Sequence, residues 1–85
     1  MKRYYRHDAE SEHGDGVCYM EITGRWPTRQ VEVYGGIWFC GDEEHNTYLA
    51  DQPFEYLALA DEHAIEPEEF ERVWDEAVRR CRPAT

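Results

Sequence analysis

Hydrophobic and polar positions alternate along this chain with two periods, and the change from one to the other falls near residue 53. From 17 to 23, Cys18, Met20 and Ile22 fall on one side and Val17, Tyr19 and Glu21 on the other, the period of a strand. Residues 28–34 alternate again, with Val31 and Val33 opposite Gln30, Glu32 and Tyr34. Gly35-Gly36 follows, and the run 37–40 is apolar. Two such runs joined by Gly-Gly predict a hairpin whose type I′ turn needs positive φ at both central residues. Residues 2–7, carrying Tyr4 and Tyr5, read as a first strand. Residues 8–16 are polar and closed by Gly14 and Gly16, so they read as a loop. Residues 24–27 break the strand before them, Gly41 ends the strand at 37–40, 42–45 is an acidic loop, and 46–50 is expected to add a short fifth strand.

After Pro53 the period lengthens. Phe54, Leu57 and Ala58 suit one or two helical turns, ended by Asp61-Glu62-His63. From 67 to 81, Phe70, Val73, Trp74, Ala77, Val78 and Cys81 form one stripe of an amphipathic helix. Pro67 fits its first turn, where a missing N–H is no loss. Glu68, Glu69 and Glu71 sit at the positive end of the helix dipole, Arg79, Arg80 and Arg82 at the negative end, and Pro83 stops it. The expected fold is α+β: an antiparallel four- to five-stranded meander sheet with this helix packed on one face, residues 1–85 forming a single domain. The inner face is expected to combine Cys18, Met20, Ile22, Val31, Val33 and part of 37–40. Trp74 would plug that core, which predicts a loss of about 3–5 kcal/mol for Trp74→Ala.

Composition narrows the class. A chain of 85 residues buries only about two-thirds of the surface its unfolded form exposes, so its stability rests on large rings. Its 41 % hydrophobic content excludes a disordered acidic tail. No apolar run approaches the roughly 20 residues of a membrane span. The basic start, MKRYYR, lacks the apolar stretch of a secretory signal. Cys18, Cys40 and Cys81 are odd in number and lack C-x-x-C spacing, so reduced thiols in a cytoplasmic protein are expected.

Charge changes the picture most. Residues 42–76 hold thirteen acids against one base, Arg72, while the rest of the chain is nearly balanced. Such a block repels nucleic acid and anionic membranes and attracts basic surfaces.

Two blocks carry a likeness to other sequences: Arg25-Trp26-Pro27-Thr28-Arg29-Gln30-Val31-Glu32-Val33-Tyr34 before Gly35-Gly36, and Glu66-Pro67-Glu68-Glu69-Phe70-Glu71-Arg72-Val73-Trp74. On these the chain resembles a family of small acidic bacterial domains with an R-x-x-x-R-x-V-E-x-[FY] strand and a closing E-E-F-E-x-V-W helix. The resemblance implies an α+β domain with a meander sheet and a terminal helix, and it brings no catalytic residues.

No catalytic constellation stands out. His7-Asp8 and Glu43-Glu44-His45 lack the spacing of a metal site, so no metal or cofactor is expected. Ser11 lies outside any nucleophile elbow, and Cys81 is noted only for its neighbours Arg79, Arg80 and Arg82. Arg25 and Arg29 read first as cross-strand partners of Glu21 or Glu32, and second as a carboxylate or phosphate patch with Trp26 and Trp38. The expected function is a non-enzymatic, protein-binding inhibitor, a monomer or weak homodimer, that covers a basic nucleic-acid-binding surface on a partner protein. Its contacts would be Asp42, Glu43, Glu44, Asp61, Glu62, Glu68, Glu69, Asp75 and Glu76. A phage anti-defence protein of the anti-CRISPR type, mimicking nucleic acid, and an immunity protein against a nuclease toxin both fit. The alternative is a module sequestering a small molecule or nucleotide at Arg25, Trp26, Arg29 and Trp38.

Overall fold

The computed structural model describes residues 1–81. Four strands, β1 (Lys2–Ser11), β2 (Gly14–Thr23), β3 (Trp26–Tyr34) and β4 (Ile37–Asp42), form an antiparallel sheet in the order β1-β2-β3-β4. Two single-turn 3-10 helices follow, Phe54–Tyr56 and Asp61–His63, and then α1 (Pro67–Cys81). This is the expected α+β meander with a C-terminal helix, in its four-stranded form. Residues 46–50 add no strand: they turn back on themselves, with the Leu49 N–H donating to the Asn46 carbonyl at 3.1 Å. The Gly35-Gly36 turn has the expected positive φ at both residues, 56° and 92°. Arg82 and Pro83, read as the helix end, lie outside the described residues.

The stretch 8–16 is not a loop. β1 and β2 pair along it to a two-residue turn, with Asp8 opposite Val17, Glu10 opposite Asp15 and Ser11 opposite Gly14. Its polarity reflects a hairpin arm that runs beyond the core. Gly16 is small for a reason other than turning: a Cβ there would lie 2.0 Å from the Val33 carbonyl oxygen and 2.5 Å from the Tyr34 ring.

The sheet buries both faces, which corrects the expected core. Directly paired residues share a face, and the pairs are Tyr19 with Val31 and Val17 with Val33, whereas Met20 faces Gln30 and Cys18 faces Glu32. Val31 and Cys40 therefore pack with Ala77, Val73 and Trp74 under the helix. Cys18, Met20, Ile22 and Tyr5 lie on the opposite face, covered by Ala50, Phe54, Leu57 and Leu59. The cause is a β-bulge. Beside the β2–β3 turn Ile22 pairs with Pro27, but Glu21 pairs with Arg29, so Thr28 is an extra residue. Without it Cys18 would meet Val31, and the two would share the single inner face expected from the sequence. A one-residue shift exchanges the faces of everything beyond it.

Segment 46–64 thus runs across one face to the β1 edge, where the Ile65 N–H donates to the Tyr4 carbonyl at 2.9 Å. The helix returns across the other face. Its first half meets β1, with the Tyr4 and Phe70 rings 5.2 Å apart, and its second half meets β4 at Cys40. Phe70 and Ala77 are fully buried, while Trp74 is only partly covered and stacks on Phe70 with centroids 6.3 Å apart. Phe70, not Trp74, is the plug. Phe70→Ala is expected to lose about 3–5 kcal/mol, and Trp74→Ala less, because part of that ring already meets water. Denaturant unfolding of both variants checks the order; a larger loss for Trp74 would contradict it.

Candidate functional site

The charged centre of the molecule sits on the helix face. Tyr4, Glu21, Arg29 and Asp42 form one row across the four strands. Glu21 is 1 % exposed. The bulge lets two successive residues reach it: the Thr28 hydroxyl donates to Oε1 at 2.7 Å and the Arg29 guanidinium to Oε2 at 2.5 Å. Lys2 adds a longer contact at 3.7 Å. Arg29 also donates to both carboxylate oxygens of Glu71 on the helix, at 3.0 and 2.5 Å. Its guanidinium lies over the Phe70 and Trp74 rings, 5.0 and 5.2 Å from their centroids. Burial would raise the Glu21 pKa, but the hydrogen bonds from Arg29 and Thr28 and the charges of Arg29 and Lys2 outweigh it and hold the carboxyl below its usual range. Of the two partners suggested for Arg29 by sequence, Glu21 is the one it meets. Glu71, 42 residues away, had no local signal.

The remaining acids divide into separate groups. Asp42 accepts backbone N–H bonds from Glu44 and His45, at 3.0 and 2.8 Å, which shapes the turn presenting Glu43 and Glu44. Both line an open cleft of about 670 Å³ with Lys2, Trp26, Thr28 and Arg29. Asp61 and Glu62 stand at the β1 edge, directly before the helix, and Glu68 and Glu69 follow in its first turn. These four are exposed and fall within one stretch of nine residues, with Glu66 among them. Glu76 is different: Arg79 and Arg80 hold it at 2.9 and 2.7 Å, and these bonds keep its pKa low. Asp75 is exposed between Arg72 and Arg79 in sequence, so the outer helix face carries both signs. The β1–β2 arm adds Asp8, Glu10, Glu12 and Asp15, an acidic group that the charge count over 42–76 did not include.

Of the four residues of the alternative ligand patch, Trp26 and Arg29 share the cleft above, whereas Arg25 and Trp38 do not line it. Arg25 pairs with Glu55 rather than with Glu21 or Glu32. Arg29 is engaged as above. Trp26 pairs with Thr23 and Trp38 with Val33, which is level with Val17. Six residues of strand at about 3.3 Å each separate those levels by roughly 20 Å. Trp38 instead lies under Arg80, 5.1 Å from its guanidinium carbon.

The histidines have local partners: His7 Nδ1 lies 2.8 Å from the Asp8 carbonyl oxygen, and His63 Nδ1 accepts the Ala60 N–H at 2.9 Å. No group of three or more His, Cys, Asp or Glu among the described residues is placed to hold a metal ion. Burial, then the charge of Glu32, pushes the Cys18 thiol up to about 12. Cys81 packs against the helix-side core. No helix among the described residues is long and apolar enough to cross a membrane. Among known proteins, no family model and no curated sequence matches the chain.

Arg29→Met strands Glu21 in the interior and is expected to lose about 3–5 kcal/mol, whereas Glu71→Gln, at the exposed end of the bridge, should lose about 1 or less. Equal losses in denaturant unfolding would dissolve the distinction. Because the folded pKa of Glu21 is depressed, its contribution is complete above the unfolded carboxylate value of about 4.3 and is lost as pH falls through the lower folded value. Stability measured from neutral pH downward should therefore fall less steeply in Glu21→Gln than in the parent.

Proposed function

We propose that this chain is a non-catalytic acidic module that covers a cationic, nucleic-acid-binding surface on a partner protein. The observation carrying this reading is where the bases go. Arg25, Arg29, Arg79 and Arg80 are engaged by carboxylates of the same molecule. Arg3 lies over Phe54, 4.1 Å from its centroid, and Lys2 reaches the buried Glu21. With these bases paired to carboxylates or stacked on rings of the same molecule, Asp61, Glu62, Glu68 and Glu69 meet solvent with no ion-paired base among the described residues, on a chain of net charge −10. That charge exceeds what solubility requires, since a small domain stays soluble at a net charge of about 2–8 in magnitude.

The contact region centres on Asp61, Glu62, Glu68 and Glu69, with Asp42, Glu43 and Glu44 as a second patch. Glu76 contributes least, being neutralised by its own arginines. An anti-defence protein standing in for nucleic acid and an immunity protein plugging a nuclease place the same demand on this surface. Association of this kind is fast and salt-sensitive.

Proteins retained from a bacterial lysate on the immobilised chain at low ionic strength should be released by competing duplex DNA and by raising salt from about 0.05 to 0.2 M. A folded Asp61→Asn, Glu62→Gln, Glu68→Gln, Glu69→Gln variant should retain far less. Retention unaffected by DNA, by salt and by the variant would overturn the reading.

A further inference from the structure

On the sheet face away from the helix, at the end opposite the Glu21–Arg29 bridge, lies an open cleft of about 410 Å³. Tyr34, Phe39 and Tyr48 line it, with Glu32 between strands and Glu10 and Glu12 on the hairpin arm. The Phe39 and Tyr48 rings are 4.7 Å apart at a 44° tilt, and Tyr34 and His13 flank Phe39 at 6.2 and 5.8 Å. Tyr34 is buried and donates its hydroxyl to Glu32 Oε1 at 2.6 Å, and Gln30 donates to Oε2 at 3.1 Å. Both donors are neutral. Glu32 is partly buried and, among the described residues, pairs with no base. A carboxylate taken from water without a counter-charge is costly, and here its charge reaches Cys18, whose thiol it helps to raise.

The same molecule supplies the comparison. At the other end of the sheet a buried carboxylate, two aromatic rings and a second, exposed carboxylate surround the guanidinium of Arg29. Arg80 repeats the arrangement more simply, over Trp38 and against Glu76. The cleft at Phe39 has the same parts, with a half-buried carboxylate, facing rings and further carboxylates at the rim; among the described residues no lysine or arginine reaches them, and His13, 3.8 Å from Glu12 at the rim, is the one base that lines it. Ring faces attract cations through their quadrupole, and more strongly where water is partly excluded.

We infer that this cleft binds an organic cation of the arginine side-chain type, with the guanidinium against the Phe39 and Tyr48 rings and hydrogen-bonded to Glu32. The alkyl stem would leave along the open side, where Glu10 and Glu12 add long-range attraction. The site shares no residue with the acidic stretch 61–69 and does not depend on it. A free alkylguanidine and an arginine displayed on a peptide present the same group, and the test separates them.

Nα-acetylarginine methylamide is titrated into the intact protein and followed through the ring signals of Phe39, Tyr34 and Tyr48 by NMR. The neutral isostere Nα-acetylcitrulline methylamide is the control, and a Gly-Ser-Arg-Ser-Gly peptide is the displayed form. The arginine compound should saturate the site, with shifts confined to those rings and about tenfold tighter binding than citrulline. Glu32→Gln, which keeps an oxygen acceptor for Tyr34, and Tyr48→Ala, at a half-exposed position, should each weaken it severalfold while leaving the remaining spectrum folded. The variant neutralised at Asp61, Glu62, Glu68 and Glu69 should bind the probe as the parent does, so this site and the acidic surface stand or fall separately. Peptide binding at least as tight as that of the free compound assigns the site to a protein partner's arginine; weaker peptide binding assigns it to a free small cation. Equal binding of citrulline, or no saturable shift at the three rings, would overturn the inference.

Discussion

One arginine ties the two halves of this molecule together. Arg29 leaves β3, meets a carboxylate on β2 that water barely reaches, and ends on a carboxylate of the helix, with two helix rings beneath it. The interaction is demanding rather than simply stabilising. Burying Glu21 removes hydration that only well-placed donors replace, and a hydrophobic residue of similar size would carry no such penalty. What the bridge adds is selection. A helix docked one turn out of place would leave Glu71 away from Arg29 and take the Phe70 and Trp74 rings from under the guanidinium. A sheet without the bulge would take Thr28 or Arg29 away from Glu21. The ion pair therefore favours one register of β2 on β3 and one seating of α1, in a chain whose small core leaves little margin for alternatives.

The bulge that assembles this bridge also explains why the sheet is covered on both sides. By moving one residue out of register, it places Tyr19, Val31 and Val33 on the helix face and Cys18, Met20 and Ile22 on the other. The second apolar face needs its own cover, and the segment between β4 and the helix provides it with Ala50, Phe54, Leu57 and Leu59. Irregular chain suits that task because it must cross the sheet and then round the β1 edge, where a strand would need a further partner.

The helix was legible from sequence to the residue, because period, proline, end charges and stripe all act within the same 15 residues. The Gly35-Gly36 hairpin was legible for the same reason: two residues of positive φ admit few solutions. The Glu21–Arg29 pair was within reach, since both lie on neighbouring strands. What failed was the phase between those strands. Alternation within each strand puts Cys18 and Val31 on one face, and nothing in Trp26-Pro27-Thr28 announces that one residue will be looped out. Trp74 seemed the plug because it is the largest residue of the stripe. Which residue of a stripe is deepest depends on where the helix crosses the sheet, and that crossing brings together residues as far apart in the chain as Arg29 and Glu71, 42 residues away. The polar arm 8–16 resembled a loop because its strands pair beyond the core, where alternation of hydrophobicity has nothing to report. Of the aromatic cleft, Glu32 facing Phe39 follows from the Gly-Gly turn alone. Tyr48 does not, since it arrives on the folded-back segment.

The surface charge follows from the same internal choices. Arg29 stacks on two rings and binds carboxylates at low exposure, and Arg80 stacks on Trp38 and binds Glu76 while still half exposed, so both are compensated within a chain that has few bases to begin with. Each such pair cancels one acid and leaves the others without an opposing neighbour. The arrangement separates two properties that acidic proteins usually trade against each other. The sheet and helix are tied by one arginine, Arg29, placed at low exposure where salt screens it little, while the outer carboxylates remain open to screening. On the function proposed above, ionic strength would regulate association without loosening the structure that presents the acids, because the bridge at Arg29 lies where salt screens it least.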